Sequence, residues 1–327
     1  MKRVGYLYEK IVDYDNIVAA MADYDARRPV RLRRGIDYRL AWEIKERMET
    51  DFAGVIGTPR TKTIREYGKE RILHIPSYAS AIAQIALWRV CEPYVEKRLH
   101  TQTFSSRKGY GGHLAARKCA RFVHLNAQKD AKYFLYFDIR KFYHHIDHRV
   151  VMARLETVFK DRRVLDMFRA VVASVPDGLA IGYPFSHALA NLYLVPLYYL
   201  LRSIKAVSKI YVYMDNWTVF SRYKKPLHKA IAAARAWLRG VGCALKRDWQ
   251  IAPVAARPVR ICGFAVSLRP TRLYRGNWHR TMRDFARACR GCADALAAMA
   301  SRRGWLRAIN REYSHVFQNQ KGQYLWQ

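Results

Sequence analysis

From residue 7 to residue 50, apolar positions recur at near-helical spacing, interrupted by the basic run RRPVRLRRG at 27–35. The pattern predicts helices flanking a run that is either a solvated loop or a phosphate-contacting one. Between 58 and 76 the period shortens: TPRTKTIREYGKERILHIP alternates polar and apolar residues about YGKE, which predicts a hairpin. Helical spacing returns over 79–99. A Gly-, Ser- and Arg-rich loop, TFSSRKGYGGH at 103–113, then leads into a basic helix at about 114–128. YFLYFDI at 133–139 is a short apolar, aromatic run and reads as a buried strand. Helices are predicted at about 148–160 and 164–174, a loop at 176–185, and one long apolar helix at 186–204. KIYVYMDNWTVFSR at 209–222 reads as two strands joined at MDN, with Asp215 at the tip. A helix at about 226–240, a strand at VRICGFAV and basic amphipathic helix over 277–327 complete the pattern.

Neither a repeat nor a low-complexity linker appears, so the chain reads as one body with interleaved parts, with about two folding units expected for its 327 residues. Charge narrows the picture. There are 59 Lys and Arg against 26 Asp and Glu, a formal +33, while 51% hydrophobic residues exclude a disordered basic tail. Such a surplus repels itself unless a polyanion offsets it, and nucleic acid is the first partner to consider. No run of about 18 apolar residues and no signal peptide is found, so the expectation is a cytoplasmic protein without a membrane partner. Six cysteines form no disulfide framework; Cys91, Cys119, Cys243 and Cys262 read as buried thiols. Cys289 and Cys292 make a lone CxxC that reads as two ordinary helix residues, since a zinc site needs a second pair.

Acidic residues are scarce, yet Asp138 ends an apolar strand and Asp215 caps an apolar hairpin. A carboxylate there needs a partner, because burying one unpaired is costly. A Lys or Arg would serve, as would a divalent cation holding a phosphate chain; a turn-capping role would satisfy Asp215 alone.

The surrounding motifs resemble those of reverse transcriptases over about residues 55 to 320. FDIRKFYHHIDH at 137–148 looks like the motif that opens the palm, and YMDN at 213–216 like the Y-x-D-D hairpin. GYPFSHALANLYL resembles the intervening loop and helix, KERILHIP with AIAQIAL and EPYVE the fingers hairpin and its following helix, and FSSRKGYGGHLAA a glycine-rich segment of bacterial members. GCALKRDWQIAP and VRICGFAV resemble the later palm strands. Seven matches in order are specific where any one alone is weak. The resemblance implies an α+β right-hand polymerase fold: an N-terminal basic helical extension at 1–55, fingers at 56–132, a palm with an antiparallel sheet at 133–268 and a helical thumb at 269–327.

It also implies roles. Asp138, Asp215 and the backbone of Ile139 would hold two Mg²⁺ ions, with Mn²⁺ as a substitute, and Asp138, Asp215 and Asn216 would form the catalytic set. Arg71, with Lys69 and Arg65, would neutralise a dNTP triphosphate, for which the guanidinium fork is suited. Tyr143 falls where the family excludes a ribose 2′-hydroxyl; Lys246 is a candidate acid for leaving pyrophosphate or a lysine on a solvated strand end. Arg107, Lys108, His113, Ser186 and His187 would contact template and primer. Trp278, Trp305 and Trp326 of the thumb read as core residues rather than stacking platforms. With the thumb assigned to the last residues, no segment is left for an endonuclease, protease or RNase H.

Two departures sharpen the subtype. Asn216 replaces the usual second Asp, offering one neutral oxygen and removing a charge. Where most members carry Pro-Gln-Gly, this chain has Ala180-Ile181-Gly182. The I-G-x-x-x-S-H pattern resembles the I-G-x-x-x-S-Q of diversity-generating retroelement enzymes, relatives of group II intron and retron reverse transcriptases. Ile181 cannot make an amide's hydrogen bond to the nascent base pair, which leaves base-pair geometry policed by shape alone; the resemblance implies misincorporation opposite template adenines, and packing at the fingers–palm junction is the other reading of Ile181. That group works on a structured template RNA, makes cDNA from a primer strand, and uses a small basic pentameric accessory protein, in a bacterial or phage-infected cell. A retron or phage-defence enzyme, and a catalytically weak RNA-binding descendant, are the alternatives. The +33 then surrounds a small acidic island, Asp138 and Asp215, in which metal rather than lysine balances the carboxylates, and nucleic-acid binding should weaken steeply with salt.

Overall fold

The computed structural model describes residues 2–299 apart from 67, 68, 270, 274, 293, 294 and 297. The expected thumb, with Trp305 and Trp326, therefore lies for most of its length outside the described residues. In chain order the elements are α1 (Tyr8–Val12), α2 (Tyr14–Ala26), α3 (Tyr38–Thr50), α4 (Phe52–Ile56), β1 (Arg60–Glu66), β2 (Lys69–Ile75), α5 (Tyr78–Glu96) and α6 (Gly112–Asn126). There follow β3 (Tyr133–Asp138), α7 (His148–Glu156), α8 (Arg162–Ala173), α9 (Ser186–Tyr193), α10 (Val195–Arg202), β4 (Val207–Tyr213) and β5 (Asn216–Ser221). The last are α11 (Lys224–Gly240), β6 (Gln250–Pro253), β7 (Val259–Ile261), β8 (Phe264–Val266), β9 (Arg272–Leu273) and α12 (Arg275–Cys289). No helix among the described residues is long and apolar enough to cross a membrane.

The chain divides into two compact units. The first comprises Met1–Thr101, Ile139–Tyr199 and Ala234–Leu245. Its central element is α5, buried without interruption from Ser80 to Trp88 because small residues alternate with Ile and Leu on every side of the helix. Ser77 caps it by accepting from the Ser80 amide at 3.1 Å, and Asn16 Nδ2 ties α2 to it by donating to Ala86 O at 3.1 Å. Asp13, Asp37, Asp51 and Asp147 cap α2, α3, α4 and α7 with their side chains, each worth about 1 kcal/mol. Four of the scarce acids thus serve helix starts, an explanation that does not reach Asp138, at the end of β3, or Asp215, in the turn between β4 and β5. The basic run at 27–35 forms a loop with a short 3-10 turn; Asp25 holds its base by accepting from the Arg34 and Gly35 amides.

The second unit comprises Gln102–Asp138, Leu200–Ala233 and the described residues from Lys246 onward. It is built on a four-stranded antiparallel sheet ordered β4-β5-β3-β6, beside a three-stranded sheet β7-β8-β9. One face of the larger sheet, carrying Phe134, Tyr136, Tyr211 and Phe220, packs with Ala115, Cys119 and Val123 of α6 and with Val259 and Phe264 of the smaller sheet. The other face presents Leu135, Phe137, Trp217 and Val219, all fully buried, with Phe137 stacked on Trp217 at 5.7 Å.

Three expectations are corrected. The single helix at 186–204 is two, α9 and α10, broken at Leu194, because Pro196 has no N–H to continue the ladder and suits a helix start. VRICGFAV is a tight hairpin rather than one strand: Cys262 (φ 49°) and Gly263 (φ 85°) turn β7 into β8. Cys289 and Cys292 do not share a helix; α12 ends at Cys289, and Gly291 (φ 80°) closes it through its amide to Ala288 O.

Candidate active site

Two carboxylates converge at one end of the larger sheet. Pairing of β3 with β5 sets Asp138 opposite Asn216 and Tyr136 opposite Thr218, so these four side chains share a face. β4 and β5 close at the pair Tyr213 and Asn216, leaving Met214 and Asp215 as a two-residue turn. Such a turn requires a positive φ at its first position, and Met214 supplies it at 55°, a conformation that costs a side-chain-bearing residue about 1–2 kcal/mol. The register of the hairpin places Asp215 at the tip.

Asp138 is 7% exposed. Burial, and then the charge of Asp215, push its pKa up to about 6, against the opposing pull of Lys246. Lys246 Nζ lies 2.5 Å from Asp138 Oδ1. The Lys246 amide also donates to Asp138 O at 2.8 Å, so the main chain delivers the ammonium to the carboxylate. Lys246 therefore shares the island with the carboxylates, and is not a solvated strand end.

Asn216 is committed on both sides. Its Oδ1 accepts from the Tyr136 hydroxyl at 2.7 Å, and its Nδ2 donates to Asp215 Oδ1 at 3.0 Å. Burial raises the pKa of Tyr136, so its hydroxyl stays a donor. The one neutral oxygen expected for a metal is therefore held by Tyr136. Tyr136 and Asn216 also line a cavity of about 370 Å³ with Tyr213, Arg260 and Phe264. Neither Tyr136 nor Arg260 stands out in the sequence; only the register of β3 against β5 could have pointed to Tyr136, two residues before Asp138. Asp248, whose charge also raises Asp138, was equally hidden.

The remaining expected residues are distributed as follows. In the first unit, Arg65 pairs with Glu70 across the hairpin at 3.0 Å. The register sets Ile64 opposite Arg71 and Arg65 opposite Glu70, so Arg65 lies on the face of β1–β2 away from Arg71, and the expected cationic trio is split. Arg71 is exposed, and Lys69 opens β2 opposite Glu66. The loop before α9 is fastened to this hairpin: His74 N donates to Ile181 O at 2.8 Å. Gly182 has φ 115°, and a Cβ there would lie 2.6 Å from His74 O. Ile181 is half-buried. Tyr143 and His187 meet edge to face at 5.9 Å, and burial pulls His187 below the usual imidazole range. Ser186 is buried at the start of α9. The backbone of Ile139 is bridged to Leu245. In the second unit, Arg107 donates to Thr103 O at 2.9 Å and stacks over Tyr110, Lys108 is exposed, and His113 packs edge-on to Phe264. Trp278 packs against the core, as expected.

Among the described residues, no group of three or more His, Cys, Asp and Glu side chains is arranged to hold a metal. The donor chemistry still fits hard cations: two carboxylates close enough that one raises the other's pKa, on a face with free volume beside it. Further oxygens would have to come from backbone or substrate.

A family profile described as reverse transcriptase (RNA-dependent DNA polymerase) matches residues 65–264. No protein of curated function matches the sequence. Among solved structures, apo telomerase from Candida tropicalis is similar at a TM-score of 0.54 and 10% identity, over 85% of this chain and 60% of that one. Telomerase from Candida albicans in complex with a fragment of telomeric RNA is similar at 0.51 and 10% identity, over 84% and 58%. A Candida tropicalis telomerase truncated from its C-terminal domain gives 0.50 and 10% identity, over 73% and 61%. The chain thus spans less than two thirds of each, and at this identity the likeness is one of fold.

Proposed function

We propose, from the premise that the chain belongs to the reverse transcriptase (RNA-dependent DNA polymerase) family, that it copies a structured RNA into error-prone cDNA as the polymerase of a diversity-generating retroelement. The α+β architecture is that of the right-hand polymerases. In this reading residues 56–132 are the fingers, 133–268 the palm and 269–327 the thumb.

Asp138 and Asp215 would hold the metal ions, and Mg²⁺ there would supply the positive charge that favours ionisation of a primer 3′-hydroxyl and offsets the charge of the leaving pyrophosphate. Lys246 Nζ holds the Asp138 carboxylate in place and is the proton source for the pyrophosphate. Arg71, with Lys69, neutralises the triphosphate, whereas Arg65 lies on the other face of the hairpin, paired with Glu70. Tyr143, packed on His187, excludes the 2′-hydroxyl. The surplus of +33 suits a template RNA, a primer strand and a substrate that are all polyanions. A small accessory protein completes the proposed assembly.

The observation that supports the subtype is the fixed backbone at 181–182. With Ile181 O held by His74 and Gly182 seated against His74 O, the side chain at 181 cannot be exchanged for a neighbour's by sliding the loop. An apolar group then stands where other members carry a base-pair-contacting amide. The test is sequencing of cDNA made on the cognate template RNA: errors concentrated opposite adenines are expected, and equal fidelity at all four bases overturns the reading. Ile181→Gln is expected to lower adenine errors about tenfold, the equivalent of one hydrogen bond of about 1.4 kcal/mol.

A further inference from the structure

We infer that Tyr136 and Asn216 act together as positioning residues, a two-bond relay that aims the Asp215 carboxylate; this rests on the reading of Asp215 as a metal ligand. A carboxylate can only accept, so the atom of Asn216 facing Asp215 must be the amide nitrogen. That choice of rotamer is fixed from the far side, because Asn216 Oδ1 accepts the Tyr136 hydroxyl proton at 2.7 Å while Nδ2 donates to Asp215 Oδ1 at 3.0 Å. Without the hydroxyl, the amide is held from one side only, and its tether on the carboxylate loosens.

The geometry gives the Asn at 216 a purpose that a second Asp could not serve. Asp at this position would accept from Tyr136 but would have no proton to give Asp215, and two carboxylates would face each other one residue apart. Asn216 instead tethers a carboxylate carried on a strained two-residue turn, whose own backbone closes only at the pair Tyr213 and Asn216. Tyr136 can serve as the anchor because it is 6% exposed and lies on β3, paired on both sides by β5 and β6. The relay thus runs from the rigid middle of the sheet to its tip.

The test is calorimetric titration of the full-length protein with Mn²⁺ alone, alongside thermal denaturation. Tyr136→Phe is expected to bind Mn²⁺ at least fivefold more weakly at unchanged Tm. Asn216→Ala is expected to weaken binding by a similar factor, and the double variant no further than Asn216→Ala. In nucleotide incorporation the same variants should require more Mg²⁺ while the KM for dNTP stays put. Asp215→Asn separates the two levels of the argument. If it leaves Mn²⁺ affinity unchanged, Asp215 is not a ligand and the functional reading falls. If it weakens binding while Tyr136→Phe binds as wild type, or if the two single losses multiply in the double variant, the relay is overturned and the functional reading stands.

Discussion

Asp138→Asn is expected to lower Mg²⁺-dependent nucleotide incorporation at least about a thousandfold, the equivalent of about 4 kcal/mol, while making the folded protein more stable at neutral pH. The two effects have one origin. Burial and the neighbouring Asp215 raise the Asp138 carboxyl from an ordinary 3.8 to about 6, so the ionised form that a metal needs is the form the fold disfavours. A rise of that size corresponds to about 3 kcal/mol of lost stability at neutral pH, reduced in practice because the variant leaves Lys246 without its partner. An acid whose folded pKa lies above its unfolded one is favoured protonated in the fold. The penalty is therefore absent below pH 3.8, grows between 3.8 and 6, and is complete above 6. The gain of the Asn variant should follow the same curve, which chemical denaturation at pH 4 and pH 7.5 would read directly. Equal stability of wild type and variant at both pH values would show that Asp138 carries no such cost. Biological activity that survives the substitution, with no nucleotide incorporation by either protein, would instead favour a nucleic-acid-binding descendant over a polymerase.

Gly178→Ala is expected to be the most damaging single methyl group in the first unit. Gly178 has φ 68°, and a Cβ built there lies 2.0 Å from Tyr143 O. That carbonyl already accepts from the Leu179 amide at 2.9 Å, and the carbonyl of Gly178 accepts from His148 at 2.7 Å when the ring carries its proton on Nε2. The new methyl group therefore meets backbone that is held from both sides, with no flexible side-chain end to yield. Left-handed backbone costs about 1–2 kcal/mol and the overlap about 1–3 more, which together should lower the Tm by about 5 °C. A Tm within two degrees of wild type would contradict this. Because the displaced segment carries Tyr143, surviving protein should also discriminate less well between dNTP and rNTP.

The elements legible from pattern were those with local causes. YFLYFDI is too short and too apolar for anything but a buried strand, and it is one. The YGKE and MDN turns announced their hairpins, since a break in alternation is visible without knowing what the strands pack against. The α9–α10 break was legible in principle, for Pro196 is in the sequence; the continuous apolar run around it concealed the missing N–H. VRICGFAV concealed a hairpin because its turn uses a cysteine at positive φ, a residue type that seldom signals one. At the site, Asp138 and Asp215 were conspicuous because carboxylates are rare in apolar runs. What joins them was not: the Lys246 pair depends on a segment more than a hundred residues away lying antiparallel to β3's end, and the Tyr136–Asn216 bond on cross-strand register. Arg65 and Arg71 look interchangeable in sequence, and only the pairing of β1 with β2 puts them on opposite faces.

The two faces of the β3–β5 pair also bear on how this chain can change over generations. Trp217 and Phe137 sit wholly in the core, and inheritance has little room to alter them without unfolding the sheet. Asn216, one residue earlier, looks instead into a cavity, with its partners on the same side. Alternate residues along one strand thus answer to different constraints, one set to core packing and the next to the cavity. An exchange of carboxylate for amide at 216 changes how the Asp215 carboxylate is held and leaves the scaffold beneath untouched.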